Sequence, residues 1–227
     1  MDLQYSKPIR SYVLRQGRIS SAQNRSYETL FPIFGFKGDD KGFLDIPKIF
    51  GNDRPLIVEI GFGMGTATAE IARENPELNY FGIDVHKPGI GRLLWNIEKL
   101  DLKNIRIIEG DAVDVIKNRI MDNTVSAFHI FFPDPWPKKR HHKRRLITRP
   151  FTDLLTAKLI TGAYIYMVSD WEDYGNWAIF EFTATPGLAN KYEAFAERQQ
   201  WRPETEFERK GINKNHNVWE LFFVKRG

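Results

Sequence analysis

From Pro55 onward the chain alternates short apolar runs with segments of helical period, and that alternation admits few folds. Residues 56–60, 79–85, 104–109, 125–132 and 162–169 have strand length and little polar interruption. Between them, 66–73, 88–100, 112–120 and 151–159 read as helices. The clearest is 88–100, where Ile90, Leu93, Leu94, Ile97 and Leu100 fall on one stripe and Pro88 suits a first turn. Strands joined by single helices form βαβ units and a parallel sheet with helices on both faces. A helix around 171–182, a helical segment at 191–199 and an antiparallel pair of 205–208 with 218–224 complete the expectation. The expected fold is therefore α/β, a mostly parallel seven-stranded sheet with an antiparallel C-terminal strand pair.

Residues 1–54 stand apart. Residues 1–30 are polar and basic, with Arg10, Arg15, Arg18 and Arg25 among Tyr5, Tyr12 and Tyr27 and no clear period. Glycines and prolines then mark turns, around a short apolar element at 43–50. The expected organisation is a basic arm and lead-in over 1–54 and one domain over 55–227. At 227 residues the chain should bury roughly 70–75% of its unfolded surface and needs no staple.

Composition excludes several chemistries. There is no cysteine, so disulfides, thiolate zinc sites and a cysteine nucleophile are out. No metal is expected. The first ten residues hold no apolar stretch of the secretory kind, and no run approaches the 18 or so apolar residues of a membrane span. A cytoplasmic protein is expected. The net charge is only +4, but residues 138–145 carry six Lys/Arg and two His with no acid, so the remainder is net negative. One local basic patch on a near-neutral body points to a polyanion docked at one place.

Parallel α/β sheets bind ligands at the carboxyl ends of their strands, so the residues after each strand matter most. After the first comes E-I-G-F-G-M-G at 59–65, where Gly61, Gly63 and Gly65 allow close backbone approach. Thr66 stands where a dinucleotide fingerprint needs its third glycine, which argues against a nicotinamide oxidoreductase. The G-x-G-x-G spacing with Glu59 ahead of it resembles motif I of class I S-adenosylmethionine methyltransferases. Asp84, after the second strand, can accept from both hydroxyls of an adenosine ribose. Asp111, after the third, could cap the next helix or bind a ligand. Three acids at successive strand ends say more together than any one alone.

After the fourth strand comes F-F-P-D-P-W-P-K-K-R-H-H-K-R-R at 131–145. This string resembles the signature of the bacterial tRNA (guanine-N7)-methyltransferase family. So do R-S-Y-V-L-R-Q-G-R at 10–18, G-I-D-V-H-K-P-G at 82–89, S-D-W-E at 169–172, T-E-F-E-R-K-G at 205–211 and H-N-V-W-E-L at 216–221. The match covers essentially the whole chain. It departs at Asp84, where Glu is usual, at Glu206, where a base is frequent, and at Lys214-Asn215, where Leu-Gly is common.

The resemblance implies a Rossmann-like class I methyltransferase that uses S-adenosylmethionine to methylate N7 of a guanine in the tRNA variable loop. It implies cofactor binding by Glu59, Gly61, Gly63, Gly65, Asp84, Asp111 and Asp134. A carboxylate can orient the guanine, with Asp134 and Asp170 the two candidates, and Asp134 is favoured as catalytic because its proline-flanked loop is stiff and follows the fourth strand. Substrate contacts fall to Lys138, Asp170, Thr205, Glu206, Phe207 and Glu208. The remaining basic residues, Lys139, Arg140, His141, His142, Lys143, Arg144 and Arg145, would meet tRNA phosphates. Trp171, Trp177, Trp201 and Trp219 are expected in packing, whereas Trp136, among three prolines, is expected to shape the pocket. A non-catalytic RNA-binding protein on this scaffold is the other reading, disfavoured by the intact acid set. Monomer and homodimer both remain open.

Overall fold

A computed structural model describes residues 10–12, 17–205, 208 and 217–227. The strands are β1 (Gly35–Lys37), β2 (Leu56–Ile60), β3 (Asn79–Asp84), β4 (Ile105–Glu109), β5 (Val125–Phe131), β6 (Leu159–Ser169), β7 (Leu188–Asn190) and β8 (Trp219–Lys225). The helices are α1 (Ser21–Phe34), α2 (Ile46–Phe50), α3 (Thr66–Glu74), α4 (Lys87–Lys99), α5 (Ala112–Arg119), α6 (Arg149–Lys158) and α7 (Glu172–Thr183), with a 3-10 helix over Lys139–Arg144. One sheet runs in the order β1-β4-β3-β2-β5-β6-β8-β7. Its neighbours are parallel from β1 to β6, and β8 is antiparallel to both β6 and β7.

The period-2 alternation of β2 explains the layering. Val58 and Ile60 join a core with Ile116, Leu155 and Phe182, beneath α5, α6 and α7. Ile57 faces the other way, into a core with Ile71, Leu93 and Ile97 beneath α1, α3 and α4. This is a Rossmann-like arrangement, a mostly parallel sheet with helices on both faces. Among the described residues no helix is long and apolar enough to cross a membrane, and no cluster of His, Asp or Glu is placed to hold a metal.

Four features differ from the sequence expectation. The sheet has eight strands, because the three-residue β1 and β7 extend its two edges. The partner of β8 is not 205–208. The chain instead inserts β8 between β6 and β7, Thr205 lies in no strand, and Glu206 and Phe207 fall outside the described residues, as do Tyr5 and Arg15. Residues 191–199 form no helix. Tyr192 and Phe195 pack against opposite cores, whereas a helix would hold residues three apart on one face.

The fourth difference is α1, which fills much of the stretch without an evident period. Ser20 and Gln23 form a capping box, with the Gln23 N–H donating to Ser20 Oγ at 3.2 Å and the Ser20 N–H to Gln23 Oε1 at 2.8 Å. Tyr27, Leu30, Phe31 and Phe34 then pack into the core over α4. The two helices meet closely at Gly91, where a Cβ would lie 2.4 Å from the Gln23 carbonyl.

Candidate active site

β4, β3, β2 and β5 are adjacent and parallel, so the four loops singled out by sequence leave the sheet at one edge. The connection reverses direction at β2, which has β3 on one side and β5 on the other. Ligand sites of open α/β sheets form at such a switch point.

Gly61, Gly63 and Gly65 have φ of 74°, 57° and 66°, the left-handed region where side chains are strained. Their loop rests directly on α4. A Cβ at Gly89 would lie 1.8 Å from the Gly63 carbonyl, so position 89 must remain glycine. Gly65 precedes α3, whose first amides receive no side-chain cap.

Glu59 lies two residues before this loop and is buried. Burial pushes its carboxyl up to about 8, with help from the nearby Asp84 charge and against a contribution from Thr68. Asp84 fixes the loop: its Oδ2 accepts from the Gly63 N–H at 2.9 Å and its Oδ1 from the His86 N–H at 2.8 Å. Burial still raises its pKa above the ordinary value, against those backbone bonds. Asp111 caps α5 by accepting from the Val113 N–H at 2.9 Å. Tyr12 lines the space beside it, and the Tyr12 hydroxyl has its pKa raised by burial and by the Asp111 charge. Capping and ligand contact are thus compatible at Asp111, because the carboxylate has lone pairs for both.

Asp134 is exposed and stands between Pro133 and Pro135. Phe132 and Trp136, which bracket that turn, have φ of 50° and 47°. Bulky residues in this region cost of order 1–3 kcal/mol each and persist only where surroundings fix them. Here the Phe132 N–H donates to the Val168 carbonyl at 2.8 Å and Trp136 Nε1 to the Ser11 carbonyl at 3.0 Å. The turn aims Asp134 into a cavity of about 420 Å³. Gly61, Gly63 and Asp84 line it from the other side, with Ile60, Ile83, Phe131 and Phe132 as apolar walls. That size and mixture suit a nucleoside-sized ligand.

The basic octet divides in two. Lys138, Lys139, Arg140 and Lys143 are exposed, and His141 and His142 are half-buried. Arg145 is buried. It pairs with Asp173, donates Nε to the Pro135 carbonyl at 3.1 Å, and lies 5.2 Å from the Trp177 ring centre. It therefore supports the turn that carries Asp134 and offers no free charge to a phosphate. Arg144 also turns inward, toward residues 10–12.

Asp170, at the end of β6, is half-buried and does not line the cavity. Thr205 and Glu208 form a second capping box, and the Glu208 carboxylate is buried on Arg202. Trp177 and Trp201 are packed, Trp201 stacking on His129 at 4.6 Å, and Trp219 is half-buried in β8. Trp171 is 43% exposed, contrary to the packing expected of it. Sequence reasoning missed Gly89, Tyr12 and Arg202. The close approach of a loop to a helix, a juxtaposition across 99 residues and a buried guanidinium leave no local spacing signal.

A methyltransferase family model described as "Putative methyltransferase" matches residues 53–221. The tRNA (guanine-N(7)-)-methyltransferase of Nitrosospira multiformis is 47% identical over 220 residues, covering 97% of this chain and 96% of that protein. The protein of the same name from Neisseria meningitidis serogroup C is 47% identical, covering 99% and 94%. Among solved structures, the 16S rRNA methyltransferase KamB matches with a TM-score of 0.61 at 14% identity, covering 84% of this chain and 98% of that one. At that identity the likeness concerns the fold.

Proposed function

The chain belongs to the tRNA (guanine-N(7)-)-methyltransferase family, and we propose that it transfers the methyl group of S-adenosylmethionine to N7 of a guanine in the tRNA variable loop. The observation that carries this reading is the cavity at the carboxyl ends of the strands, which Asp84 and Asp134 line together with Gly61 and Gly63, with Glu59 and Asp111 in or after the neighbouring strands. The residues fit the cofactor. Asp84 presents carboxylate lone pairs to a ribose, Asp111 to an adenine amino group, and buried Glu59 to an ammonium. S-adenosylmethionine, when bound, supplies an electrophilic methyl on a sulfonium sulfur.

Guanine N7 attacks through a lone pair and has no proton to lose first, so no general base is required. The protein aligns the nucleophile and excludes water. Asp134 orients the guanine by accepting from its N1–H and exocyclic amine, and its charge favours the cationic ring that forms. The guanine must leave its stack to reach the cavity. Lys138, Asp170, Thr205, Glu206 and Phe207 are assigned to the substrate side, Glu208 anchors that segment through its buried pair with Arg202, and the exposed cations hold phosphates. Such an enzyme works in the cytoplasm. The deciding experiment is incubation with unmodified tRNA and labelled S-adenosylmethionine, followed by mapping of N7-methylguanine. Label elsewhere, or none, would overturn the reading.

Two outcomes follow for binding. Glu59 is mostly protonated at pH 7, and an ammonium ligand binds its ionised form. Affinity for S-adenosylhomocysteine should therefore rise with pH, approaching tenfold per unit below about pH 7.5 and levelling near the raised pKa of about 8. Calorimetry between about pH 6 and about pH 8 reads this slope. Glu59→Gln should abolish it, and a flat wild-type profile would remove Glu59 from the ammonium.

The second outcome concerns the octet. Replacing Lys139, Arg140 and Lys143 by Ala removes three exposed charges and leaves the two inward arginines alone. The slope of log tRNA affinity against log salt should flatten by roughly 2–3 units. S-adenosylhomocysteine affinity should stay constant. An unaltered slope would mean that the loop does not dock tRNA.

A further inference from the structure

The guanidinium of Arg144 donates from Nε to the Arg10 carbonyl and from Nη2 to the Tyr12 carbonyl, each at 3.0 Å. It also lies 3.8 Å from the centre of the Trp136 ring. Trp136 donates to the carbonyl between them, that of Ser11. Three consecutive backbone carbonyls of the N-terminal segment are thus held from the loop after β5. Two residues of that held segment, Ser11 and Tyr12, line the cavity, and Tyr12 stands beside Asp111. Tyr12 also walls the adjoining space on the Asp111 and Glu109 side.

We infer that Arg144 is a positioning residue of the cofactor site, holding residues 10–12 so that Tyr12 forms the wall beside Asp111 at the nucleoside end. The inference rests on the reading of that cavity as an S-adenosylmethionine site. Arginine is required by geometry. Its planar fork meets two carbonyls at once and stacks on an indole, whereas lysine offers a point charge on a flexible stem. Positioning and phosphate contact therefore diverge at Arg144→Lys. A phosphate role needs only the charge, and a positioning role needs the fork.

The test is calorimetric binding of S-adenosylhomocysteine without tRNA, for wild type, Arg144→Lys, Arg144→Ala, Tyr12→Phe and Tyr12→Ala, with Arg140→Ala as a control in the same loop. Arg144→Lys, Arg144→Ala and Tyr12→Ala should each weaken binding about tenfold, on the scale of a lost charge-assisted hydrogen bond. Tyr12→Phe should lose less, and Arg140→Ala nothing. Combining Tyr12→Ala with Arg144→Ala should add little, because both remove one wall. Melting curves of the free proteins identify any variant that fails to fold, and Arg144→Lys with Tyr12→Phe then carries the test. If wild type binds and Arg144→Lys and Arg144→Ala bind equally well, the positioning role is wrong while the cofactor reading stands. If wild type does not bind, the cofactor reading itself fails.

Discussion

Asp134→Ala is expected to slow methyl transfer to tRNA by roughly 100- to 1000-fold, the range for losing one preorganised transition-state partner. The expectation follows from where the residue is held. Prolines on both sides limit its backbone, two aromatic residues with positive φ fix the turn, and buried Arg145 ties the loop through the Pro135 carbonyl. A carboxylate held that way needs no reorganisation when positive charge develops on the purine. Single-turnover rates isolate the step from product release. Affinity for S-adenosylhomocysteine should fall less than the rate, and the melting temperature should hold, because the side chain is exposed. Asp170→Ala should act mainly on tRNA affinity, since Asp170 does not line the cavity. A rate for Asp134→Ala within about threefold of wild type, well short of a lost transition-state partner, with normal tRNA binding would assign the orienting role elsewhere.

The parallel strands were readable because both of their faces are buried, which leaves runs such as Leu-Ile-Val-Glu-Ile with a single polar residue. That polar residue, Glu59, is the informative one. The strand-end acids were equally readable, because a parallel sheet brings successive carboxyl ends to one edge whatever else the chain does. β1 and β7 were not, since three residues at an edge carry no period. α1 did leave a signal, the Ser20–Gln23 box and the 27, 30, 31, 34 stripe. Pro32 in the last turn and the polar surroundings obscured it. The basic octet shows a deeper limit. Sequence assigns eight solvated side chains, but Arg145 meets Asp173 and Trp177, and Arg144 meets residues 10–12, partners separated by about 30 and about 130 positions. A run of like charges gives no sign of which members have distant partners.

Arg202 gives the largest expected effect on stability. Its guanidinium has no solvent exposure and holds Glu208 through two bonds, at 2.6 and 2.9 Å, and Glu220 at 2.6 Å. Glu220 also accepts from the Tyr166 hydroxyl, and Arg198 reaches Glu208 at 2.7 Å from the solvent side. The cluster ties Arg202 and Glu208 to β6 and β8, which places the Thr205–Glu208 box against the sheet. Burial alone would raise the Glu208 carboxyl, but Arg202 and Arg198 outweigh it and hold it below the ordinary range. Arg202→Met keeps the volume and strands two buried carboxylates, so it should cost about 3–5 kcal/mol. For a chain of this size that lowers the melting temperature by roughly 6–20 °C. The pH dependence separates stranded charge from lost packing. In wild type the depressed Glu208 contributes stability above the unfolded pKa, and that contribution is lost as pH falls through the folded value. In Arg202→Met the carboxylates have raised pKa values, so falling pH neutralises them in the folded state. The deficit should be largest near pH 7 and shrink toward about pH 5. Adding Glu208→Gln and Glu220→Gln to Arg202→Met should recover part of the loss, because no buried charge remains. Melting curves of the three proteins across that pH range test the argument. A deficit that is independent of pH and unrelieved by the two glutamines would mean that Arg202 acts through its volume alone.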